Sequence, residues 1–166
     1  MYLDDILVHH RALAGDDHRD VDLLVAQARA MRPIKSFRNA IVDASRDHLA
    51  VIAEIKRRSP SKGDLNVGLD PAQIAKRYEV GGASCLSVLT DEKYFGGSSQ
   101  DLVTARRESQ LPVLRKDFTV SLADVCDTRL MGADCILLIV AALTTAELTE
   151  FHPPKEVCRH VPLCAA

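Results

Sequence analysis

The chain has 166 residues, of which 47% are hydrophobic and 27% charged, and its formal net charge at neutral pH is −2. This composition is typical of one folded domain, and the near balance of charge gives no drive towards nucleic acid or acidic lipid. No apolar run approaches the roughly 18 residues of a membrane span. We therefore expect neither a nucleic-acid partner nor a membrane partner.

The N-terminus and the cysteines favour a cytoplasmic protein. The chain begins Met-Tyr-Leu-Asp-Asp, with acidic residues where a signal peptide would have basic ones. Its five cysteines are odd in number and form no Cys-x-x-Cys pair. These features predict free thiols in a reducing compartment.

The first 48 residues predict a helical extension. Apolar residues recur at the spacing of one helix face over residues 3–13 and again over 21–31, and a third short helix is expected over 36–46.

From residue 49 the pattern changes to short β-prone runs that alternate with helical stretches. The predicted strands cover residues 49–56, 85–90, 112–116 and 135–140. Helix starts are marked by capping pairs, as at Asp70-Pro71 and at Ser121 with Asp124. Repeated strand–helix units with apolar strands predict an α/β fold, a parallel sheet covered by helices. A short helix should begin near Thr145, and no fifth strand is expected in the Pro-, Cys- and His-rich tail, 151–166.

Charged residues stand at the ends of two predicted strands. Side chains alternate along a strand, so Glu54 and Lys56 share one face, and Lys116 ends the third strand. At the C-terminal ends of parallel strands such groups usually bind substrate or catalyse. The alternatives are a simple ion pair between Glu54 and Lys56 and a solvated Lys116. Phe95, in the loop after the second strand, could cover an aromatic ligand or pack against the rim.

Four segments resemble the signature motifs of the indole-3-glycerol phosphate synthase family. They are Glu-Ile-Lys-Arg-Arg-Ser-Pro-Ser (54–61), Ser-Val-Leu-Thr-Asp-Glu-Lys-Tyr-Phe-Gly-Gly-Ser (87–98), Leu-Arg-Lys-Asp-Phe (114–118) and Gly-Ala-Asp-Cys-Ile-Leu-Leu-Ile-Val-Ala-Ala-Leu (132–143). Their order and spacing match, as does the helical extension before the first strand. The resemblance covers residues 1 to about 150.

The resemblance implies part of a (β/α)₈ barrel, with the extension at 1–48, about four barrel strands at 49–150 and an atypical tail at 151–166. It implies a carboxy-lyase of tryptophan biosynthesis. The family converts 1-(2-carboxyphenylamino)-1-deoxyribulose 5-phosphate to indole-3-glycerol phosphate, with loss of carbon dioxide and water. The expected partner is this phosphorylated small molecule, and no metal or organic cofactor is expected.

By the same resemblance, three residues are expected to be catalytic and four to bind substrate. Lys116 would be the general acid, Lys56 an anion contact and possible second acid, and Glu54 the group that positions them. The expected substrate-binding residues are Ser59, Phe95, Phe118 and Leu137, the last three around the aromatic ring.

The sequence departs from the family after about residue 150, where the family's later barrel strands supply further catalytic groups and the phosphate-binding loops. We expect a frameshift or premature end, and a chain that is inactive alone. Half a barrel would have two open sheet edges and an uncovered inner face, which favour self-association.

Three other interpretations stay open. The chain could be a non-catalytic half-barrel interaction module. The tail could bind zinc through His152, Cys158, His160 and Cys164, although their spacing is unusual for a structural site. The chain could also be phosphoribosylanthranilate isomerase, another barrel enzyme of the pathway, although that enzyme lacks the long extension and the Glu-x-Lys first strand.

Overall fold

The computed structural model describes residues 2–151 and the backbone of residues 163–165. Three helices come first, and the strands of the main sheet then alternate with helices, with a short hairpin after the first strand. In chain order the elements are α1 (Tyr2–Gly15), α2 (Val21–Ala30), α3 (Phe37–Asp47), β1 (Ile52–Ile55), β2 (Arg58–Ser59), β3 (Gly63–Asp64), α4 (Pro71–Val80), β4 (Cys85–Leu89), α5 (Ser99–Glu108), β5 (Val113–Lys116), α6 (Leu122–Leu130), β6 (Cys135–Leu138), α7 (Thr145–Phe151) and β7 (Leu163–Ala165).

The helices begin where the sequence predicts them. The Asp70 side chain accepts hydrogen bonds from the first N–H groups of α4, and Pro71 opens that helix. Ser121 and Asp124 form a reciprocal capping box at the start of α6. At the other end of α6, Gly132 adopts a φ of 85°, which residues with a side chain rarely adopt. Within residues 2–151, no helix is long and apolar enough to cross a bilayer.

The main sheet has the strand order β1-β4-β5-β6-β7 and is parallel throughout, as predicted. Its strands are shorter than the sequence runs. β1 begins at Ile52 and not at residue 49, because the chain before it is exposed, with Leu49 83% accessible. The fourth predicted strand is β6, which ends at Leu138, and a 3₁₀ turn at Val140–Ala142 replaces the predicted end of that strand. β2 and β3 form a separate antiparallel hairpin after β1.

The prediction that no strand follows the fourth unit was wrong. β7 pairs in parallel with β6, with Leu163 opposite Ile136. A run of three residues is too short to show a strand period, and it is hydrogen bonding to the β6 edge that defines it. Within the described residues, β1 and β7 each have one strand neighbour, in agreement with two open edges.

Different helices pack against the two faces of the sheet. On the outer face Leu86, Val88 and Val113 pack beneath α4 and α5. On the inner face Cys85, Leu114, Cys135 and Leu137 pack against Phe37 at the start of α3.

The expectation of an uncovered inner face was therefore wrong for the part of that face that Phe37 covers, where the Phe37 side chain is only 3% exposed. The helical extension and the sheet thus share a hydrophobic cluster. The division of the chain at residues 48 and 150 stays a prediction.

Among the described residues, three cysteines are buried and form no disulfide, as expected: Cys85, Cys126 and Cys135. Burial, followed by the negative charge of Asp134, raises the pKa of the Cys85 thiol to about 12. It therefore behaves as a small apolar side chain. Cys158 and the side chain of Cys164 lie outside the described residues.

Asp134, immediately before β6, joins three elements through one buried carboxylate. Its side chain is fully buried. Oδ1 accepts the backbone N–H of Lys35, at 2.7 Å, and Oδ2 that of Val113, at 2.9 Å. The Arg106 guanidinium of α5 lies 3.3 Å from the same carboxylate. Asp134 therefore fixes the segment before α3 against β5 and α5.

Replacing Asp134 by Ala should lower the free energy of unfolding by about 3 kcal/mol, because it leaves two buried N–H groups and a guanidinium without their acceptor. Urea unfolding followed by circular dichroism measures the change. The control is Asp43→Ala, which removes an exposed ion pair with Arg46 and should cost less than about 1 kcal/mol. Equal losses in the two variants would contradict the anchoring role of Asp134.

Candidate active site

One carboxylate holds two lysines at the C-terminal ends of the strands. Glu54 Oε2 accepts a hydrogen bond from Lys116 Nζ at 2.6 Å, across 62 residues of sequence. Glu54 Oε1 lies 2.5 Å from Lys56 Nζ. All three side chains are partly exposed. The simple ion pair that the sequence allowed is present, and Lys116 extends it to a cluster with net positive charge.

The pKa of Glu54 shows the balance of forces in this cluster. Burial by itself would raise the pKa of the carboxyl group, since it disfavours the charged form. Hydrogen bonds from Lys116 and Lys56, with their positive charges, outweigh burial and hold the pKa below its ordinary value. Glu54 is therefore an anion near neutral pH.

A cavity of about 280 Å³ lies beside this cluster on the inner face of the sheet. Strand register explains its lining, because Glu54, Ser87 and Leu114 are neighbours across β1, β4 and β5. One end is charged and the walls are mainly aliphatic. The lining residues are Ile52, Glu54, Ser87, Leu114, Lys116 and Leu137.

Phe95 and Phe118 lie together on neighbouring loops, after β4 and β5. Their ring centroids are 6.2 Å apart, and Phe118 also contacts the His10 ring of α1 at 5.2 Å. Neither phenylalanine is among the residues that line the 280 Å³ cavity, whereas Leu137 is. The structure thus brings Leu137 to the charged cluster and places the two phenylalanines in a neighbouring group.

Ser59 lies in the β2–β3 hairpin, where its Oγ accepts the backbone N–H of Lys62 at 3.2 Å. Among the described residues it is not part of the cavity lining. Its predicted substrate contact stays a prediction, as do the roles of the other six predicted residues.

Sequence reasoning missed three residues of the lining, Ile52, Ser87 and Leu114, as functional residues. The signal for Ser87 was available. It is a polar residue inside a strand whose five residues are all buried, and it occupies the same face as Cys85 and Leu89. The alternation that singled out Glu54 could have singled out Ser87 as well.

A second cavity, of about 690 Å³, lies between α1 and the loops after β4 and β5. His10 Nε2 is 2.9 Å from Asp91 Oδ2 and 4.0 Å from Asp117 Oδ1. Asp91 Oδ1 accepts the N–H groups of Tyr94 and Phe95, at 2.6 and 2.9 Å. These contacts anchor α1 to the loop that carries Phe95.

Burial would raise the pKa of Asp91, but hydrogen bonds from His10 and from the backbone hold it below its ordinary value. Asp117 accepts hydrogen bonds from the Phe118 N–H, at 2.9 Å, and from Arg115, at 2.9 Å.

Within residues 2–151, His10, Asp91 and Asp117 are the one group of three side chains close enough to share a metal ion. Arg115 already donates a hydrogen bond to Asp117 Oδ2. Backbone N–H groups donate to Asp91 Oδ1 and to Asp117 Oδ1. The cluster is therefore explained as a structural anchor. The zinc hypothesis for the tail concerns residues outside the described part of the chain.

Parallel strands with helices on the outer face, and charged side chains at the strand ends beside an apolar cavity, are the arrangement found at the active sites of barrel-type α/β enzymes. The family model "Indole-3-glycerol phosphate synthase" matches residues 3–155. The chain belongs to the indole-3-glycerol phosphate synthase family, and its sheet is part of a (β/α)₈ barrel.

Curated relatives carry the same name. The protein of Bordetella pertussis is 49% identical over 130 residues, which are 78% of this chain and 50% of the relative. That of Hyphomonas neptunium is 46% identical over 143 residues, 86% of this chain and 53% of the relative. That of an Arthrobacter species is 55% identical over 109 residues, 66% of this chain and 40% of the relative. The chain spans about half the length of the curated relatives it matches.

Replacing Glu54 by Gln should destabilise the chain in a pH-dependent way. Because the pKa of Glu54 is lowered in the folded state, its contribution is fully present above its ordinary pKa of 4.5 and is lost as the pH falls through the lower, folded value. The difference in unfolding free energy between wild type and Glu54→Gln should therefore be largest near neutral pH and shrink below a pH of about 4.5.

Urea unfolding between about pH 3 and pH 7 tests this pH dependence. The range extends ~1–3 units on either side of the ordinary carboxyl pKa. Glu150→Gln, at an exposed position of α7, controls for removing a negative charge elsewhere. A difference that stays constant over the whole range would contradict a stabilising role for the Glu54 charge.

Replacing Gly97 by Ala should lower the unfolding free energy by about 2 kcal/mol, because backbone must move to make room. A Cβ at Gly97 would lie 2.1 Å from the carbonyl oxygen of Leu89, at the end of β4. The loop that carries Phe95 should shift with it. Gly68→Ala is the matched control, since a Cβ there meets nothing within 4 Å. Thermal midpoints measure both, and a midpoint for Gly97→Ala no lower than that of the control would refute the close approach.

Proposed function

We propose that this chain acts in the indole-3-glycerol phosphate synthase reaction of tryptophan biosynthesis. The observation that carries the proposal is the Glu54 carboxylate, which holds Lys56 and Lys116 together at the strand ends beside an apolar cavity. The names of the curated relatives support the same reaction.

The proposed substrate, 1-(2-carboxyphenylamino)-1-deoxyribulose 5-phosphate, carries a carboxylate and a phosphate, so cations are needed where it binds. As the ring closes onto the carbonyl carbon, negative charge develops on the carbonyl oxygen, where an ammonium group stabilises the transition state. Lys116 would protonate that oxygen as the general acid. Lys56 would contact a substrate anion and assist the later loss of water.

Glu54 would position both ammonium groups. Its carboxylate accepts one hydrogen bond from each lysine, which restricts two long flexible side chains to one region of the sheet. This pre-organisation reduces the entropy that must be lost when substrate binds.

The aromatic ring of the substrate would lie against aliphatic walls, including Leu137. Phe95 and Phe118 would extend that apolar surface, and Ser59 would contact substrate from the hairpin after β1. The reaction as proposed needs no metal or organic cofactor, since the lysines supply the acid chemistry.

Replacing Lys116 by Ala should weaken binding of the substrate to the 166-residue chain by about tenfold, since a charge-assisted hydrogen bond is lost. Titration of the anthranilate fluorescence of the substrate measures the dissociation constant, and indole fluorescence in the same sample reports product. Any product formation should fall by about 10²-fold or more without the acid. Lys76→Ala, at an exposed ion pair on α4, is the control and should leave both unchanged. Unchanged binding and turnover in Lys116→Ala would overturn the assignment of Lys116 as the general acid.

A second candidate function is a half-barrel interaction module that self-associates. β1 and β7 end the sheet as far as the structure describes it, and unpaired strand edges favour pairing with a second copy. Light scattering across a range of protein concentrations tests this. A strictly monomeric mass together with Lys116-dependent binding would favour the enzyme alone. A cytoplasmic location stays a prediction and is open to cell fractionation.

A further inference from the structure

Arg115 is a nearly buried cation on the outer face of β5, one residue before Lys116. Its side chain is 11% exposed. Alternation along the strand places Arg115 on the face of Val113, beneath the outer helices, and Lys116 on the inner face. A buried charge costs free energy unless it is paired, and a well-packed apolar side chain often stabilises such an interface at least as well. Packing alone therefore does not explain an arginine at this position.

The guanidinium of Arg115 joins the ends of two strands to α6. Nε donates to Thr90 Oγ1, just after β4, at 3.1 Å, and one terminal nitrogen donates to Asp117 Oδ2 at 2.9 Å. The other terminal nitrogen donates to the carbonyl oxygen of Asp124 at 3.0 Å and to Thr128 Oγ1 at 3.1 Å, both in α6. Because the guanidinium is planar and rigid, these hydrogen bonds fix one relative geometry of the three elements.

The same hydrogen bonds surround the backbone of Lys116. The Thr90 N–H donates to the Lys116 carbonyl oxygen at 3.2 Å, and the Thr90 hydroxyl donates to the Asp117 carboxylate. Arg115 and Asp117, the residues before and after Lys116, are bonded to each other and to Thr90. The backbone of Lys116 is thus held within a closed ring of hydrogen bonds.

Sheet pairing by itself holds Lys116 on one side. Leu89 of β4 lies opposite Lys116, whereas β5 pairs with β6 only as far as Arg115, opposite Ile136, in the described sheet. Any change in backbone direction at Lys116 is carried to the end of a long, flexible side chain. The 2.6 Å contact between Lys116 Nζ and Glu54 therefore depends on how firmly this strand end is held.

We propose that Arg115 is a positioning residue for Lys116. By holding Thr90 and Asp117 together on the outer side of the strand end, Arg115 fixes the backbone from which the Lys116 ammonium group reaches Glu54. Arg115 itself acts from the face of β5 opposite the inner cavity. The proposal rests on the proposed function, since it takes Lys116 as the acid of that reaction, but the position of Lys116 can be measured without a ligand.

The first test measures the pKa of Glu54 by carboxyl ¹³C NMR in the whole 166-residue chain without ligand. Burial would raise this pKa, and hydrogen bonds from Lys116 and Lys56 hold it below its ordinary value. Arg115→Lys keeps the charge but loses the fork of donors, and Thr90→Val keeps shape and charge but loses the bridging hydroxyl. Both substitutions should raise the Glu54 pKa towards its ordinary value, in the same direction as Lys116→Ala.

Arg106→Met is the matched control. Arg106 is also a partly buried arginine, and it donates to the Gly132 carbonyl oxygen and pairs with the buried carboxylate of Asp134, at the N-terminal end of β6. Its replacement should lower the thermal midpoint and leave the Glu54 pKa nearly unchanged. Loss of stability and loss of Lys116 positioning are thereby separated.

The second test measures binding of 1-(2-carboxyphenylamino)-1-deoxyribulose 5-phosphate in a double-mutant cycle. Arg115→Lys should raise the dissociation constant about three- to tenfold in the wild-type chain, by weakening the contact that Lys116 makes. In the Lys116→Ala background the same substitution should change it less than about twofold, because Arg115 acts through Lys116.

Two results would overturn the proposal. A lower thermal midpoint with an unchanged Glu54 pKa, in both Arg115→Lys and Thr90→Val, would assign Arg115 a stabilising role alone. An equal loss of binding with and without Lys116 would show that Arg115 does not act through it.

Failure of the proposed function is recognised separately. An absence of saturable binding to wild type would reject that function, while the ligand-free pKa of Glu54 would still decide the role of Arg115. If Arg115→Lys does not fold, Thr90→Val, which changes no charge, decides the same point.

Discussion

Parallel pairing of β1, β4, β5 and β6 is the constraint on which the site depends. Because side chains alternate along each strand, a register that buries Leu86 and Val113 under the outer helices also sends Glu54 and Ser87 to the inner face. A slip of one residue in any strand would exchange the two sets. The packing that stabilises the sheet and the geometry of the charged cluster are therefore two results of one register, and they cannot vary independently.

The N-terminal helices contribute to the site from two directions. Phe37 fills part of the inner face, where it packs with Leu114 and Leu137, two residues that also line the cavity. His10 of α1 contacts Asp91, which in turn holds the backbone of the Phe95 loop. Asp134 adds a third connection through the Lys35 N–H. The extension is thereby tied to the strand ends by polar contacts and to the sheet by apolar ones.

The charged cluster and the apolar walls suit different parts of a ligand that carries both anionic and apolar groups. Two ammonium groups around one carboxylate leave an excess of positive charge, which suits an anionic ligand. The carboxylate keeps these ammonium groups near each other despite the flexibility of lysine. The aliphatic walls place apolar atoms, which do not screen charge as water does, along one side of the cluster. In the part of the chain that the structure describes, the Ser87 hydroxyl between these two environments has no hydrogen-bond partner.

The amino-acid sequence by itself determined the helix starts, the order of the four main strands and the helices between them, the family motifs and the face that Glu54 occupies. These follow from local spacing and capping chemistry, which act over a few residues. Only the tertiary structure decided that Lys116 meets Glu54 across 62 residues, that His10 meets Asp91 across 81, and that the Ser87 hydroxyl has no hydrogen-bond partner among the described residues. The ends of the strands and the pairing of β7 with β6 were decided in the same way. The physical reason is that hydrogen-bond partners, edge pairing and cavity shape depend on which distant segments meet, and side-chain periodicity carries no information about that.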